Sequence, residues 1–294
     1  MEKVLFFPET HRYIRESDGC RLMSGTHVKD LFDTVDWVHN VRKSAAKRYL
    51  KSKYDGLKDD WQKQGRHILD PDFIEYLMPF MDAETFDQMC LDVRKEWDGE
   101  GTWTSERGTA NHAAEEQKSI DLGYSVNLIN GLEYPTQPHG KKSDGTNSSI
   151  AECICDYEPG FYSEILLWHF FPNKIFSKSL GEEICGICGQ ADKGYLEPDC
   201  SYVGDYKYPK KPLDDYAYKY PNHGFEMHSG PWSDWVHTRT SGYRIQLNIY
   251  GWMLDQHGLP PKGLWLESHG KVIKAQYEGE RVQQAVEQIQ LLGL

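Results

Sequence analysis

The sequence predicts a mixed α/β fold, on three observations. Residues 242–257, GYRIQLNIYGWMLDQH, carry Tyr243, Leu247, Tyr250 and Leu254 at helical spacing. Three extended segments precede that helix, at 162–170, 184–195 and 200–208. A short apolar run at 264–268 follows it, and a second amphipathic stripe closes the chain at 280–292. With a helix predicted upstream, the order after Gly101 is helix, three strands, helix, strand, a mixture that packs helices against a sheet.

Tyr13 and Ile14 precede Ser17-Asp18-Gly19, and Asp-Gly between extended runs predicts a hairpin. Ser24 or Thr26 is placed to cap a helix that starts there. Residues 41–54 hold Arg42, Lys43, Lys47, Arg48, Lys51 and Lys53 with no acid among them. Lys43, Lys47 and Lys51 recur every four residues, which predicts a helix with one cationic face. That face is open to two readings, a solvated surface or a DNA-binding patch that contacts phosphates. Residues 70–98 read as helical and acidic, with a break at Asp98-Gly99-Glu100-Gly101. A further helix is predicted over 105–122, ended by Gly123. Residues 132–149, with the run PTQPHGKKSDGTNSS, predict an exposed loop. Residues 210–241 are rich in Tyr, Pro and Gly and carry no assignment. Gly258-Leu259-Pro260-Pro261 stops the 242–257 helix.

Composition narrows the function classes. A chain of 294 residues fits one large domain or one domain with an appendage. A hydrophobic content of 39% supplies a core, and 13% aromatics argue against disorder. The net charge of −12 excludes nucleic-acid binding through the whole surface, so any phosphate contact is local or metal-mediated. The opening MEKVLFFPETHRY has no apolar h-region, so no signal peptide is expected. No stretch approaches 18 apolar residues, and no membrane span or membrane partner is expected. Seven cysteines, an odd number, predict reduced thiols and a cytoplasmic location.

The residues with chemical potential cluster late in the chain. Asp192 closes a strand-like run after Gly189. Asp205 and Lys207 lie two apart on the next strand, so their side chains share a face. A turn around Pro198 would bring Asp192 to them. Two carboxylates and an ammonium in one space suit a divalent cation and phosphodiester hydrolysis. The same residues also fit a turn cap and a surface ion pair of little energetic weight. His112 and Glu116 stand one helical turn apart and face the same way. Taken alone, His112 fits a satisfied histidine and Tyr250 a core residue.

Four stretches together resemble the PD-(D/E)XK nuclease superfamily, in its RecB-like, phage-exonuclease branch. GTANHAAEE (Gly108 to Glu116) resembles the Gly-x3-His-x3-Glu helix of that branch, and GQAD (Gly189 to Asp192) its Gly-x-x-Asp. GDYK (Gly204 to Lys207) resembles its Asp-x-Lys, and QLNIYGWML (Gln246 to Leu254) its Gln-x3-Tyr helix. The opening FFPETHRYIRESDGCRLMSGTHV is similar to the N-terminal segment of phage members. Gln-Ala-Asp stands where the signature has Pro-Asp, a departure common in this branch. The resemblance implies a restriction-endonuclease-like core, a central mixed β-sheet flanked by helices, over residues 101–294. Residues 1–100 are then an N-terminal hairpin plus a helical region packed on that core.

The resemblance also implies an activity: a metal-dependent DNA exonuclease encoded by a phage or mobile element and acting in DNA recombination, repair or degradation. Its cofactor is Mg²⁺ or Mn²⁺. Asp192 and Asp205 supply carboxylates, and the resemblance adds His112 and the carbonyl of Tyr206 as ligands. Lys207 sits beside the attacking water. Gln246 and Tyr250 position the active site or the DNA. Glu116, by the spacing of the family, and Glu164, in the strand before Asp192, complete the candidate set. The implied partners are DNA and a single-strand-annealing or recombination protein, in the host cytoplasm if the chain is phage-encoded. Two rivals share the fold class: a catalytically inactive nucleic-acid-binding protein, and a restriction-type endonuclease that the Gln-x3-Tyr helix disfavours.

The cysteines support a third rival, a Cys-metal or redox module. Cys185 and Cys188 form one CxxC, with Cys153, Cys155 and Cys200 nearby. A zinc site wants four ligands, usually from two such pairs. On a regular strand, Cys185 and Cys188 point to opposite faces, which hinders chelation. Some relatives carry an iron–sulfur cluster with three cysteines after the core, and this chain has none after Cys200.

Overall fold

The structure is a computed structural model. It describes residues 4–7, 10, 12–33, 37–68, 70, 72–121, 136–137, 141–143, 151–153, 157, 159–209, 213, 219–220, 224–225 and 227–294. The chain divides into two compact units. A sheet unit contains Met1–Asp33, Gly108–Tyr218 and Phe225–Leu294, and a helical unit contains Thr34–Arg107 and Lys219–Gly224.

The sheet unit begins with strands β1 (Val4–Phe7), β2 (Arg12–Arg15) and β3 (Arg21–Ser24), followed by helix α1 (Gly25–Leu31). The expected hairpin is β2–β3. Gly19 takes a positive φ of 67° in its turn, and Arg15 holds the Asp18 carboxylate at 2.7 Å. Ser24, not Thr26, caps α1: its hydroxyl accepts from the His27 amide at 3.1 Å.

The helical unit holds α2 (Trp37–Leu50), α3 (Ser52–Lys63) and α4 (Asp72–Leu77), a single 3₁₀ turn (Met78–Phe80), and the start of α5 (Ala83–Asp121). Its core joins Ala45, Ala46 and Leu50 of α2 to Tyr54, Trp61, Phe73, Ile74, Leu77, Phe86 and Val93. Two expectations are corrected here. The cationic run is not one helix: Lys51 takes φ 48°, outside the helical region, and separates α2 from α3. Lys43 and Lys47 share a helix, but Lys51 does not extend their face. Nor does Asp98-Gly99-Glu100-Gly101 break a helix, for α5 runs through it. Two interior glycines cost about 2 kcal/mol against alanine. Ending one helix and starting another there would instead strand about eight backbone groups without helical partners.

The remaining elements are β4 (Thr136–Gln137), β5 (Lys141–Ser143), β6 (Ala151–Cys153), β7 (Gly160–Ser177), β8 (Glu182–Glu197), β9 (Cys200–Tyr206), β10 (Lys219–Tyr220), β11 (Gly224–Phe225), α6 (Arg239–Gln256), β12 (Pro261–Ser268), β13 (Lys271–Ala275) and α7 (Gly279–Leu292). Within the expected loop at 132–149, the described residues form β4 and β5, a further correction. The strand order is β13-β12-β9-β8-β3-β2-β1-β6-β5, with β7 on β8 and β4 on β7. β3–β8, β9–β12 and β4–β7 are parallel and the other pairs antiparallel. The parallel step from β9 to β12 needs a crossover, and α6 is in that connection. α6 buries Ile245 through Leu254 and packs on β7, β8, β9 and β12. The fold is therefore mixed α/β, with a central mixed sheet flanked by helices, as the sequence predicts.

The boundary expected at residue 101 is not where the units divide. Met1–Asp33 belongs with the sheet because β3 pairs in parallel with β8, deep in the strand order. Among the described residues, no helix is long and apolar enough to cross a membrane.

Candidate functional site

The site is built on the β8–β9 hairpin. Its ladder runs from Glu197 opposite Cys200 to Lys193 opposite Gly204. The same register continued by one residue sets Asp192 opposite Asp205. Asp192 is thus inside β8 rather than at its end, because β8 continues to Glu197. The Tyr206 amide donates to the Asp192 carboxylate. In an extended strand the N–H and C=O of one residue point to the same side, so the Tyr206 carbonyl leaves β9 on the side of its amide.

Lys207 continues the line of β9, since its amide donates to the Glu267 carbonyl at 2.9 Å. Its ammonium forms an ion pair with Asp205, whose side chain is 3% exposed. This is not a surface pair, so a desolvation cost opposes the attraction between its charges. Burial, reinforced by the Asp192 charge, pushes the Asp205 carboxyl well above the usual range, with Lys207 opposing. Burial alone would lower Lys207, but Asp205 and Asp192 outweigh it and hold the ammonium above its ordinary value. Among the described residues, Asp205 Oδ2 is buried and, apart from that ion pair, accepts no hydrogen bond of regular geometry.

α6 supplies the opposite wall. Gln246 Nε2 donates to the Tyr250 hydroxyl at 2.7 Å and to Thr26 Oγ1 at 3.0 Å. Burial, with Asp205 next, raises the Tyr250 phenol well above its usual value, so it stays protonated. The Tyr250 ring lies between two glycines. A Cβ on Gly189 would run into it, and one on Gly25 would sit 3.0 Å from it. Lys207 Nζ stands 5.1 Å from the centre of the Tyr243 ring, a cation–π contact.

Asp192, Asp205, Lys207, Gln246 and Tyr250 line one cavity of about 210 Å³. Tyr13, Ser24, Gly25, Thr26, Gly189 and Gln190 complete its wall. Sequence reasoning missed Thr26 as a site residue and weighed it only as a helix cap. No local signal marks it, because its partner Gln246 lies 220 positions away. Tyr13 was legible only as a hairpin strand residue.

Other expected residues fall elsewhere. His112 and Glu116 lie in α5, and Glu164 in β7, but their side chains are outside the described residues. Lys43, Lys47 and Lys51 belong to the helical unit. Among the described residues, the one group of three metal-ligand side chains close enough to share an ion is Glu197, Asp199 and Cys200. It lies at the hairpin turn, away from Asp192. There the Cys200 thiol donates to Glu197 at 3.1 Å and also meets the Lys262 ammonium. A cation at that place is opposed by Lys262. Cys185 and Cys188 are both buried and belong to no such group, while Cys153 and Cys155 have side chains outside the described residues or lie outside them altogether.

No family model and no curated protein matches this chain. Among solved structures, one described as the crystal structure of SSO0001 is similar at 14% identity and a TM-score of 0.24. The likeness covers 45% of this chain and 50% of that one, so the chain spans half the length of this neighbour, and at that score it carries no argument.

Proposed function

We propose that the protein is a divalent-metal-dependent deoxyribonuclease, an exonuclease of the phage type acting in DNA recombination, repair or degradation. The observation that carries the reading is the convergence of Asp192, Asp205, Lys207, Gln246 and Tyr250 on one cavity, from three separate motifs.

The donor set fits Mg²⁺ or Mn²⁺. Asp192 and Asp205 are hard oxygen donors lining one cavity, the Tyr206 backbone adjoins Asp192, and Asp205 Oδ2 is buried against the Lys207 ammonium. His112 joins them by the resemblance alone. When bound, such an ion supplies Lewis acidity and an activated water. The chain's own residues do the rest. Lys207 offers a fixed positive charge to a phosphate oxygen and orients the water. Tyr250 remains a neutral donor. Its hydroxyl accepts from Gln246, which leaves its own proton to aim at an oxygen in the cavity. Gln246 is in turn anchored on Thr26, so the donor chain is held from α1. In a chain of charge −12, this local cluster is where a DNA phosphate is received. The reading places the protein in the cytoplasm, with DNA and a strand-annealing or recombination protein as partners.

Digestion of linear, nicked and circular DNA with Mg²⁺, Mn²⁺ or EDTA tests this. Linear DNA should be degraded, closed circles spared, and EDTA should abolish cutting. Full activity in excess EDTA would refute the metal. Tight DNA binding in Ca²⁺ without cutting in Mg²⁺ or Mn²⁺ would identify an inactive binder instead.

A further inference from the structure

Two thiols outside the cavity meet beside the parallel β3–β8 pair, Cys20 immediately ahead of β3 and Cys185 within β8. Cys185 Sγ donates to the carbonyls of Cys20 and Arg21, both at 3.4 Å, and it lies in hydrogen-bonding contact with the Cys20 thiol. Cys20 Sγ in turn reaches the Glu183 carbonyl at 3.8 Å. Cys20 is 8% exposed and Cys185 1% exposed, so the outer thiol meets solvent first. The charges around them are Arg15, Asp18 and Lys174: Asp18 holds both cations at 2.7 Å. Burial, reinforced by Cys20, pushes the Cys185 thiol up to about 12 against the pull of Arg15, so Cys185 is the protonated partner of the pair.

We propose that Cys20 and Cys185 are an oxidisable pair that forms a reversible disulfide under hydroperoxide, tying β3 to β8. The Cys20 thiolate attacks a peroxide oxygen, the O–O bond breaks, and a sulfenic acid and hydroxide result. The Cys185 sulfur then displaces the sulfenic oxygen. The S–S bond forms, the S–O bond breaks, and the thiol proton leaves with the departing hydroxide as water. In sum, two thiols and one hydrogen peroxide give one disulfide and two waters. The link joins the strands that deliver the two sides of the cavity. β3 ends on Ser24, ahead of Gly25 and Thr26, while β8 carries Gly189, Gln190 and Asp192. The inference does not depend on the nuclease reading.

The full chain is treated with hydrogen peroxide, blocked with N-ethylmaleimide, digested without reductant and mapped by mass spectrometry. The expected product is a Cys20–Cys185 linked peptide that dithiothreitol dissolves, with a raised unfolding midpoint that the reductant returns to its starting value. Cys20→Ser and Cys185→Ser should each lack the link. If either variant fails to fold, the wild-type map decides alone. A link through Cys188 or Cys200 instead, or a Cys20 oxidised to sulfinic acid while Cys185 remains alkylatable, overturns the proposal.

Discussion

Asp205 and Lys207 sit two residues apart and touch, yet their removal should be felt differently. Asp205→Asn keeps the side-chain shape and removes a charge from the carboxylate pair. Lys207→Ala removes the cation and leaves Asp192 and Asp205 in place. Both should lose cleavage by roughly 10²-fold or more, because charge stabilisation at a reacting phosphate contributes a few kcal/mol. Calorimetry with Mn²⁺ separates them: Asp205→Asn should bind more weakly, while Lys207→Ala should bind at least as well, having lost a neighbouring like charge. DNA binding in Ca²⁺ should survive Lys207→Ala. Wild-type cleavage by both folded variants would remove this cavity from the chemistry.

Glycines report on elements, and two of them should respond in opposite directions. Gly189 in β8 has the Tyr250 ring where a Cβ would go. Gly189→Ala should therefore lower stability by about 1–3 kcal/mol and cut activity by displacing that ring. Gly99 lies inside α5 with open space around it. Gly99→Ala should stabilise the protein by roughly 0.5–1 kcal/mol, measured by urea unfolding. A loss of stability there would mean that the helix is interrupted, as the Asp-Gly-Glu-Gly run suggests. The lysines of the cationic run make a third case. Lys47 and Lys51 are exposed, and Lys43 is half-buried. If the cationic segment meets DNA, replacing all three with Ala should weaken binding and flatten its dependence on salt by up to about three counterions. An unchanged slope would leave them a solvated surface.

At the scale of the whole molecule, stability should depend on a buried histidine. His228 is 4% exposed and its Nε2 lies 2.9 Å from Ser241 Oγ. Burial, followed by the neighbouring His237, lowers its pKa to about 4, against the opposing pull of Asp33. Above pH about 6.5 the imidazole is neutral in both folded and unfolded chains and contributes no pH dependence. Between about 6.5 and 4 the unfolded chain binds a proton that the folded chain refuses, so stability falls as the pH drops. The loss should reach about 2 kcal/mol by pH 5. Urea midpoints at pH 7 and pH 5 should converge in His228→Gln relative to wild type. Equal pH slopes for the two proteins would show that other groups set the acid limit.

Within β9 and α6, periodicity alone was enough. The alternation of a strand put Asp205 and Lys207 on one face, and the helical repeat put Gln246 and Tyr250 on another. Ser24, one of two candidate caps, was legible from its chemistry. The α/β class followed from the order of such segments. What no local pattern contains is which faces meet. The parallel pairing of β3 with β8 draws the N-terminal hairpin into the sheet unit and sets Gly25 and Gly189 around the Tyr250 ring. It also carries Thr26 to Gln246 across 220 positions. The run through Asp98-Gly99-Glu100-Gly101 was misread for a related reason: glycine propensity is a weak local term, and the backbone bonds of a long helix outweigh it. Local sequence determined the elements and the faces of their reactive side chains; only strand register and packing decided that those faces enclose one cavity, because register depends on contacts between residues far apart in the chain.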